Sequence, residues 1–349
     1  MSLSLPQVIA GLSFWLIAVA VMASSYKRLI RVCLRFRALT LFALYAVVSS
    51  LWSPDVVNSL RQSLFLAILI LFGYFLAERY QPEEQMRLIF VVGCLTIVGS
   101  LLVIALIPNR GIMPRGEWNG IFGHKNALGI YLSIYIAPLF FVKRKLGVVK
   151  IFCLIWVLVG VYVIYMSESR TGWLTCAFLM TYIFLAAILR RFKGLSSITI
   201  LSVFLGIGVI VVSIVLANLS YLTRFLGRDS SLTGRTVIWR DALWAISRHM
   251  FFGYGYSGFW NGLTPESNAV NVQISSALSG QEFNHAHNAI LTLVLQVGLV
   301  GMAILAIPIV KAFRDGLKAI ITYRSNAALW YMSILLALLV AGSDESMLM

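Results

Sequence analysis

Charge is scarce in this chain. Asp, Glu, Lys and Arg make up 12% of its 349 residues, half of the roughly 25% that a soluble globular chain carries. Acids are scarcer still, at 13 against 28 Lys and Arg, and there are only four cysteines and four histidines. So little charge excludes a soluble enzyme, a disordered chain and a fibrous protein. Cys33, Cys94, Cys153 and Cys176 fall in apolar runs or in the first basic loop, so a disulfide framework is not expected. No CxxC pair and no His-rich spacing offers a metal site. The short alternating segments of a membrane β-barrel are missing too. What is abundant is apolar sequence, at 60% with a mean hydropathy of +0.89, in long continuous runs. The fold class that remains is an all-α polytopic membrane protein.

Apolar runs predict about ten spans, at 4–23, 38–52, 62–77, 88–107, 127–142, 148–166, 172–189, 195–217, 288–310 and 327–342. The chain is expected to form one membrane domain. Residues 1–217 hold eight spans, 218–287 form a long outside loop, and 288–349 carry the last spans. The first run has no basic residue before it and basic residues after it, so it reads as a span and not as a signal peptide.

Basic residues alternate between loops. Eighteen of the 28 lie in the loops at 27–37, 79–87, 143–150, 190–193 and 311–324, against five in the short loops of the opposite set. The first set is therefore cytoplasmic and the N-terminus is outside. The acids Glu78, Glu83, Glu84 and Asp315 are inside and the other nine are outside. The net charge of +15 is thus a topology signal whose partner is anionic lipid on the cytoplasmic leaflet, with no nucleic acid implied.

The long outside loop is rich in Trp, Tyr and Phe, which argues against disorder. From Arg235 to Met250 the residues Trp239, Ala242, Leu243, Ile246 and Met250 fall on one helical face, which predicts an amphipathic helix lying on the bilayer interface or packed across the span ends. In the run from Gly253 to Trp260 glycines alternate with aromatics, predicting a tight turn that presents rings, either to a sugar face or to the interface. Asn284 or Asn288 is a candidate cap for the next span. His287, Leu291, Val294, Gly298 and Gly301 share a face, with the two glycines admitting a close helix neighbour.

Three further polar elements fall at the outer boundary. His124, Lys125 and Asn126 stand at a predicted helix N-terminus, an anion site by geometry. Arg170, in the turn Ser167–Gly172, needs a partner at that depth, and Glu168 is the local one. Arg235 opens the amphipathic helix. Together they predict a cationic, His-containing pocket suited to a diphosphate.

WSPD at 52–55, GIFGHKNALG at 120–129, SESRTG at 167–172, GRTVIW at 234–239, GYGYSGFW at 253–260 and HAHN at 285–288 followed by Gly298 resemble, in order and in topological place, the O-antigen ligase and polymerase family. The HKN version is similar to the branch of exopolysaccharide production proteins, which are polymerase-like. The resemblance implies a metal-independent C-type glycosyltransferase of the bacterial inner membrane that needs no cofactor. Such enzymes take a glycan from undecaprenyl diphosphate at the periplasmic face and pass it to a glycan or glycolipid acceptor. Assembly proteins such as a chain-length regulator are implied partners. On that resemblance His287 is the catalytic residue, as general base or as phosphate ligand. Arg170 and Arg235 hold the diphosphate, with His124, Lys125, Asn126, Arg240, His285 and Asn288 as further substrate-binding candidates. Family members usually have more spans and an N-terminus inside, so a helix at each end is expected to be missing from this chain. A lipid-linked sugar flippase would use a similar pocket, but flippases tend to set polar groups at the membrane midplane on broken, repeated helices.

Overall fold

A computed structural model describes residues 26–140, 148–189, 235–277, 286, 288–323 and 325–344. The described residues are helical apart from turns and one isolated antiparallel bridge, Ile112 to Trp118. The principal helices are α1 Tyr26–Arg35, α2 Arg37–Val48, α3 Val56–Arg79, α4 Pro82–Leu106, α5 Lys125–Ile136, α6 Val148–Met166, α7 Arg170–Leu189, α8 Arg235–Arg248, α9 Pro265–Ala277, α10 Ala289–Tyr323 and α11 Asn326–Asp344. Eight of the expected spans coincide with these helices. The other two, 4–23 and 195–217, lie outside the described residues.

Three helices, α3, α4 and α10, are long and apolar enough to cross a membrane, and the pair α1 and α2 passes the same test together but is bent by 100°. Apolar side chains on these helices and on α6 and α7 face outward in a way water would not tolerate: Leu69, Leu95, Leu102, Leu154, Phe184, Ile307 and Val310 are each more than half exposed. A surface so rich in open apolar groups belongs in a bilayer.

Local signals set the helix ends. Asp55 caps α3 by accepting the Asn58 amide at 3.0 Å. α4 opens with Pro82 behind a Gln81–Glu84 capping box, the Glu84 carboxylate taking the Gln81 amide at 2.8 Å. The residue before that proline is held extended, which separates α3 from α4.

Helix α5 is the axis of the bundle. Leu128, Leu132 and Ile136 pack on Ile97 of α4 and on Val157, Val163 and Ile164 of α6. Ile130 and Ile134, on its other side, meet Leu179 of α7 and Ala337 and Ala341 of α11. The approach to α7 is backbone on backbone. A β-carbon on Gly172 would stand 2.7 Å from the Gly129 Cα, and the Ser133 hydroxyl donates to Gly129 O at 2.7 Å and to Gly172 O at 3.3 Å. Small residues let helices in a membrane approach this closely.

Gly172→Val should therefore force α5 and α7 apart and cost on the order of 1–3 kcal/mol. Gly73→Ala, whose added carbon meets nothing within 4 Å, should cost nothing. Thermal unfolding of the two purified variants tests this, and equal melting temperatures would refute the close packing.

Candidate functional site

The loop between α4 and α5 folds back on α4 and leads into the HKN segment. Asn119 donates its side-chain amide to Arg110 O at 2.9 Å and to Phe122 O at 2.7 Å, and the Trp118 amide bonds Met166 O at 3.1 Å at the end of α6. This lays Glu117, 7% exposed, beside Lys125, at 3.0 Å from Oε1 to Nζ. Burial pushes the Glu117 carboxyl up. The Lys125 hydrogen bond, its own backbone N–H and the Lys125 and Arg115 charges outweigh that and hold it below the ordinary value of 4.5.

His124 caps α5. Its Nδ1 accepts the Asn126 amide at 3.2 Å, so in this arrangement the ring proton sits on Nε2. The α5 N-terminus is thereby partly satisfied within the chain. One of its free amides is taken by the His124 ring, and the Lys125 charge is compensated by Glu117.

The α7 N-terminus sits beside it. Ser169 donates its hydroxyl to Asn126 Oδ1 at 2.8 Å and accepts the Gly172 amide at 3.0 Å, so one serine both caps α7 and ties it to the HKN segment. Arg170, half-buried, begins α7. Ion pairs among the described residues are Lys125–Glu117, Arg240–Asp241 and Arg314–Asp315, and Arg170 is in none of them. Glu168, expected as its partner, is instead exposed in a left-handed turn with φ 49°.

A second cluster is built on α8 and the start of α10. The buried face of α8 is Ile238, Ala242 and Ala245, packed with Tyr254, Phe259, Val270, Ala286 and Leu295. This corrects the expected register: Trp239 and Ile246 are only partly buried, and Leu243 and Met250 are exposed. The shift follows from packing between α9 and the loop, which a one-sided amphipathic pattern does not encode. The Trp239 indole donates to Ala286 O at 3.0 Å, fixing the backbone between His285 and His287. Asn288 caps α10 by accepting the Leu291 amide at 3.1 Å, as one of the two expected candidates. Arg240 is exposed and bonds Asp241 at 2.8 Å, which raises its pKa. Asp241 is buried and also takes the Gln273 side-chain amide of α9 at 2.8 Å.

The rings of the Gly253–Trp260 run point inward. Tyr254, Tyr256 and Phe259 are buried, and burial raises both phenols, Tyr256 to about 12. They are core, not rings offered to a sugar. The run wraps the WSPD turn instead: the Tyr256 amide bonds Ser49 Oγ at 2.9 Å, and Asn58 donates to Ser257 O at 3.1 Å.

Nor does Gly298 serve a close helix neighbour. It breaks α10 with φ 62° and ψ −172°, and the backbone that approaches it is Phe251. A β-carbon there would lie 2.2 Å from Phe251 O. Peptide groups uncoupled by the break find partners in the loop. The Tyr254 amide bonds Leu295 O at 2.8 Å, Leu299 N bonds Met250 O at 2.9 Å, and Val300 N bonds Phe251 O at 3.0 Å. The Tyr45 hydroxyl takes Val297 O at 2.9 Å.

Of the sequence candidates, the structure joins His124, Lys125 and Asn126 to the start of α7 and sets Arg240 and Asn288 in the second cluster. Arg235 is the first residue of α8. His285 and His287 lie outside the described residues. Glu117, Ser169 and Asp241 were not singled out from sequence. Glu117 gives no local signal, since its partner lies eight residues on. Ser169 stood within a quoted motif, and the standard spacing of a helix cap would have found it.

Residues 152–306 match a family model described as O-antigen ligase. A stretch of 222 residues is 27% identical to the exopolysaccharide production protein ExoQ of Rhizobium meliloti (strain 1021), covering 58% of this chain and 47% of that protein. The chain is thus similar to O-antigen ligases over residues 152–306 and to an exopolysaccharide production protein over a longer stretch. It spans about half the length of the curated relative it matches. The O-antigen ligase region contains Arg170, Arg235, Arg240, His285, His287, Asn288 and Gly298. It leaves out the HKN segment, which Ser169 ties to it.

Because Glu117 is held ionised below its ordinary pKa, it stabilises the fold above about pH 4.5, and that contribution is lost as pH falls through the folded-state value. Glu117→Gln should be less stable than wild type at pH 7 and should lose less on acidification. Melting temperatures of both proteins from pH 7 down to pH 3.5 test this, and parallel curves would contradict the ion pair.

Proposed function

We propose that this chain is a glycosyltransferase that moves an undecaprenyl-diphosphate-linked glycan to an acceptor hydroxyl at the periplasmic face of the bacterial inner membrane. The topology in this reading has about ten spans, with residues 218–287 as the periplasmic loop. The observation that carries it is Arg170: a half-buried guanidinium at the head of α7, in none of the ion pairs among the described residues, beside the HKN segment and inside the O-antigen ligase region. A guanidinium so disposed suits the two phosphates of a lipid diphosphate.

In this mechanism the acceptor oxygen attacks the anomeric carbon, the bond from that carbon to the phosphate oxygen breaks, and undecaprenyl diphosphate leaves. His287, as general base, takes the acceptor proton. Arg170 and Arg235 stabilise the charge that develops on the diphosphate, which removes the need for a metal ion. The base role is a carry-over from the family's motif onto HAHN; a phosphate-binding role is the alternative at the same residue. The reaction is polymerisation of repeat units, in keeping with the similarity to a protein of exopolysaccharide production. The second reading, ligation of the glycan to lipid A–core, is favoured by the description of the matching family model.

A deletion strain separates the two. Loss of a polymerase leaves single repeat units, whereas loss of a ligase leaves full-length chains on undecaprenyl diphosphate together with bare lipid A–core. Complementation with Arg170→Lys should lower polymer output roughly tenfold or more, because a point ammonium does not reproduce bidentate phosphate contacts. His287→Ala should abolish output while membrane expression stays normal. Wild-type glycan from both variants would overturn the assignment of these residues.

A further inference from the structure

Helix α1 has three distinct faces. Val32 is buried and Leu29 rests beside Phe75 of α3. One turn around, Tyr26, Ile30 and Leu34, four residues apart, are 56%, 55% and 61% exposed. The remaining face is wholly basic, with Lys27, Arg28, Arg31 and Arg35 all exposed. A helix with an open apolar stripe directly beside an open cationic one matches the boundary between acyl chains and headgroups.

Its orientation is built in. The chain turns by 100° between α1 and α2, at Phe36, whose backbone leaves the helical region with φ −107° and ψ 50°. That elbow is pinned from α3. The Tyr74 ring stacks on Phe36 at 5.8 Å, and its hydroxyl reaches Phe36 O at 3.3 Å and Thr40 Oγ1 at 3.1 Å. Thr40 in turn bonds Cys33 O at 3.0 Å, back in α1. With α2 packed among spanning helices, a right-angle elbow lays α1 in the membrane plane.

Other basic side chains converge there. Arg28 and Arg79 line a shallow open hollow with Leu29, Phe75 and Glu78. Lys311 of α10 stands 6.0 Å from the Phe36 ring centre, over which Arg35 also lies at 5.7 Å. Three separate stretches of chain thus bring cations to one end of the bundle, next to an apolar stripe.

We infer that α1 is a membrane-surface helix that binds anionic phospholipid, with Tyr26, Ile30 and Leu34 seated among acyl chains and Arg28, Arg31, Arg35 and Arg79 holding headgroup phosphates. This rests on the chain being a membrane protein and is independent of glycosyl transfer.

The test uses the full chain reconstituted in bilayers. Nitroxide labels at Ile30→Cys and Arg31→Cys, each in a background whose native cysteines are replaced, report depth by collision. The label at 30 should favour oxygen and the label at 31 should favour a water-soluble nickel complex. Equal aqueous access at both positions would overturn the proposal. So would a label at 30 shielded from both reagents, since another part of the chain or a second protein would then cover the stripe. In a second arm, native mass spectrometry compares retention of phosphatidylglycerol with phosphatidylcholine by the purified wild-type chain. Phosphatidylglycerol should be preferred, and each of Arg28→Gln and Arg31→Gln should weaken it roughly fivefold. No preference in the wild type would overturn the headgroup assignment.

Discussion

A peptide group inside a bilayer must find its hydrogen bond within the protein, and the break in α10 at Gly298 makes that rule organise the segment packed around it. Bending the helix there uncouples the bonds that would cross the bend. The segment from Met250 to Tyr254 supplies the replacements, accepting from Leu299 and Val300 and donating to Leu295. This is a backbone clamp, and its contact tolerates no side chain at Gly298 or Gly253. Everything that follows in the loop is set by it. The Gly253–Trp260 run is carried onto the WSPD turn, and the aromatic rings are drawn into the core with Ala242, Ala245 and Leu295. The start of α10 is fixed beside α8.

The polar residues of the candidate site occupy two supports of different kinds. At the heads of α5 and α7 a close glycine contact and the Ser169–Asn126 hydrogen bond hold two helix N-termini together. At the head of α10, Trp239 grips Ala286 and Asn288 caps the helix. In each support a cation is already compensated by an acid, Lys125 by Glu117 and Arg240 by Asp241. Arg170 is in none of the ion pairs among the described residues.

The apolar helices were legible because hydropathy over twenty residues is a bulk property, and eight of the ten expected runs coincide with described helices. One local cap was legible to within two candidates: of Asn284 and Asn288, the structure shows Asn288 capping α10. What failed was every inference that needed a distant partner. Gly298 looked like a packing glycine on a regular helix, since the loop backbone that meets it lies almost fifty residues earlier. The ring-rich run looked exposed because glycine and aromatic alternation says nothing about which side is covered. The Lys125–Glu117 pair was not readable either, because Glu117 comes from a loop whose return onto α4 depends on Asn119 and its two carbonyl partners. The family's motifs, by contrast, were readable as a set, and the structure gives the reason. The GYGYSGFW run bonds to the residues flanking WSPD, and SESRTG bonds to the HKN segment.

The central claim is glycan transfer. Its most direct measurement is product analysis on the purified chain in proteoliposomes carrying only the lipid-linked repeat unit. The account predicts a longer lipid-linked glycan, with one undecaprenyl diphosphate released for each glycosidic bond formed. Donor that changes leaflet while its glycan keeps its length, with no diphosphate lipid released, would contradict it.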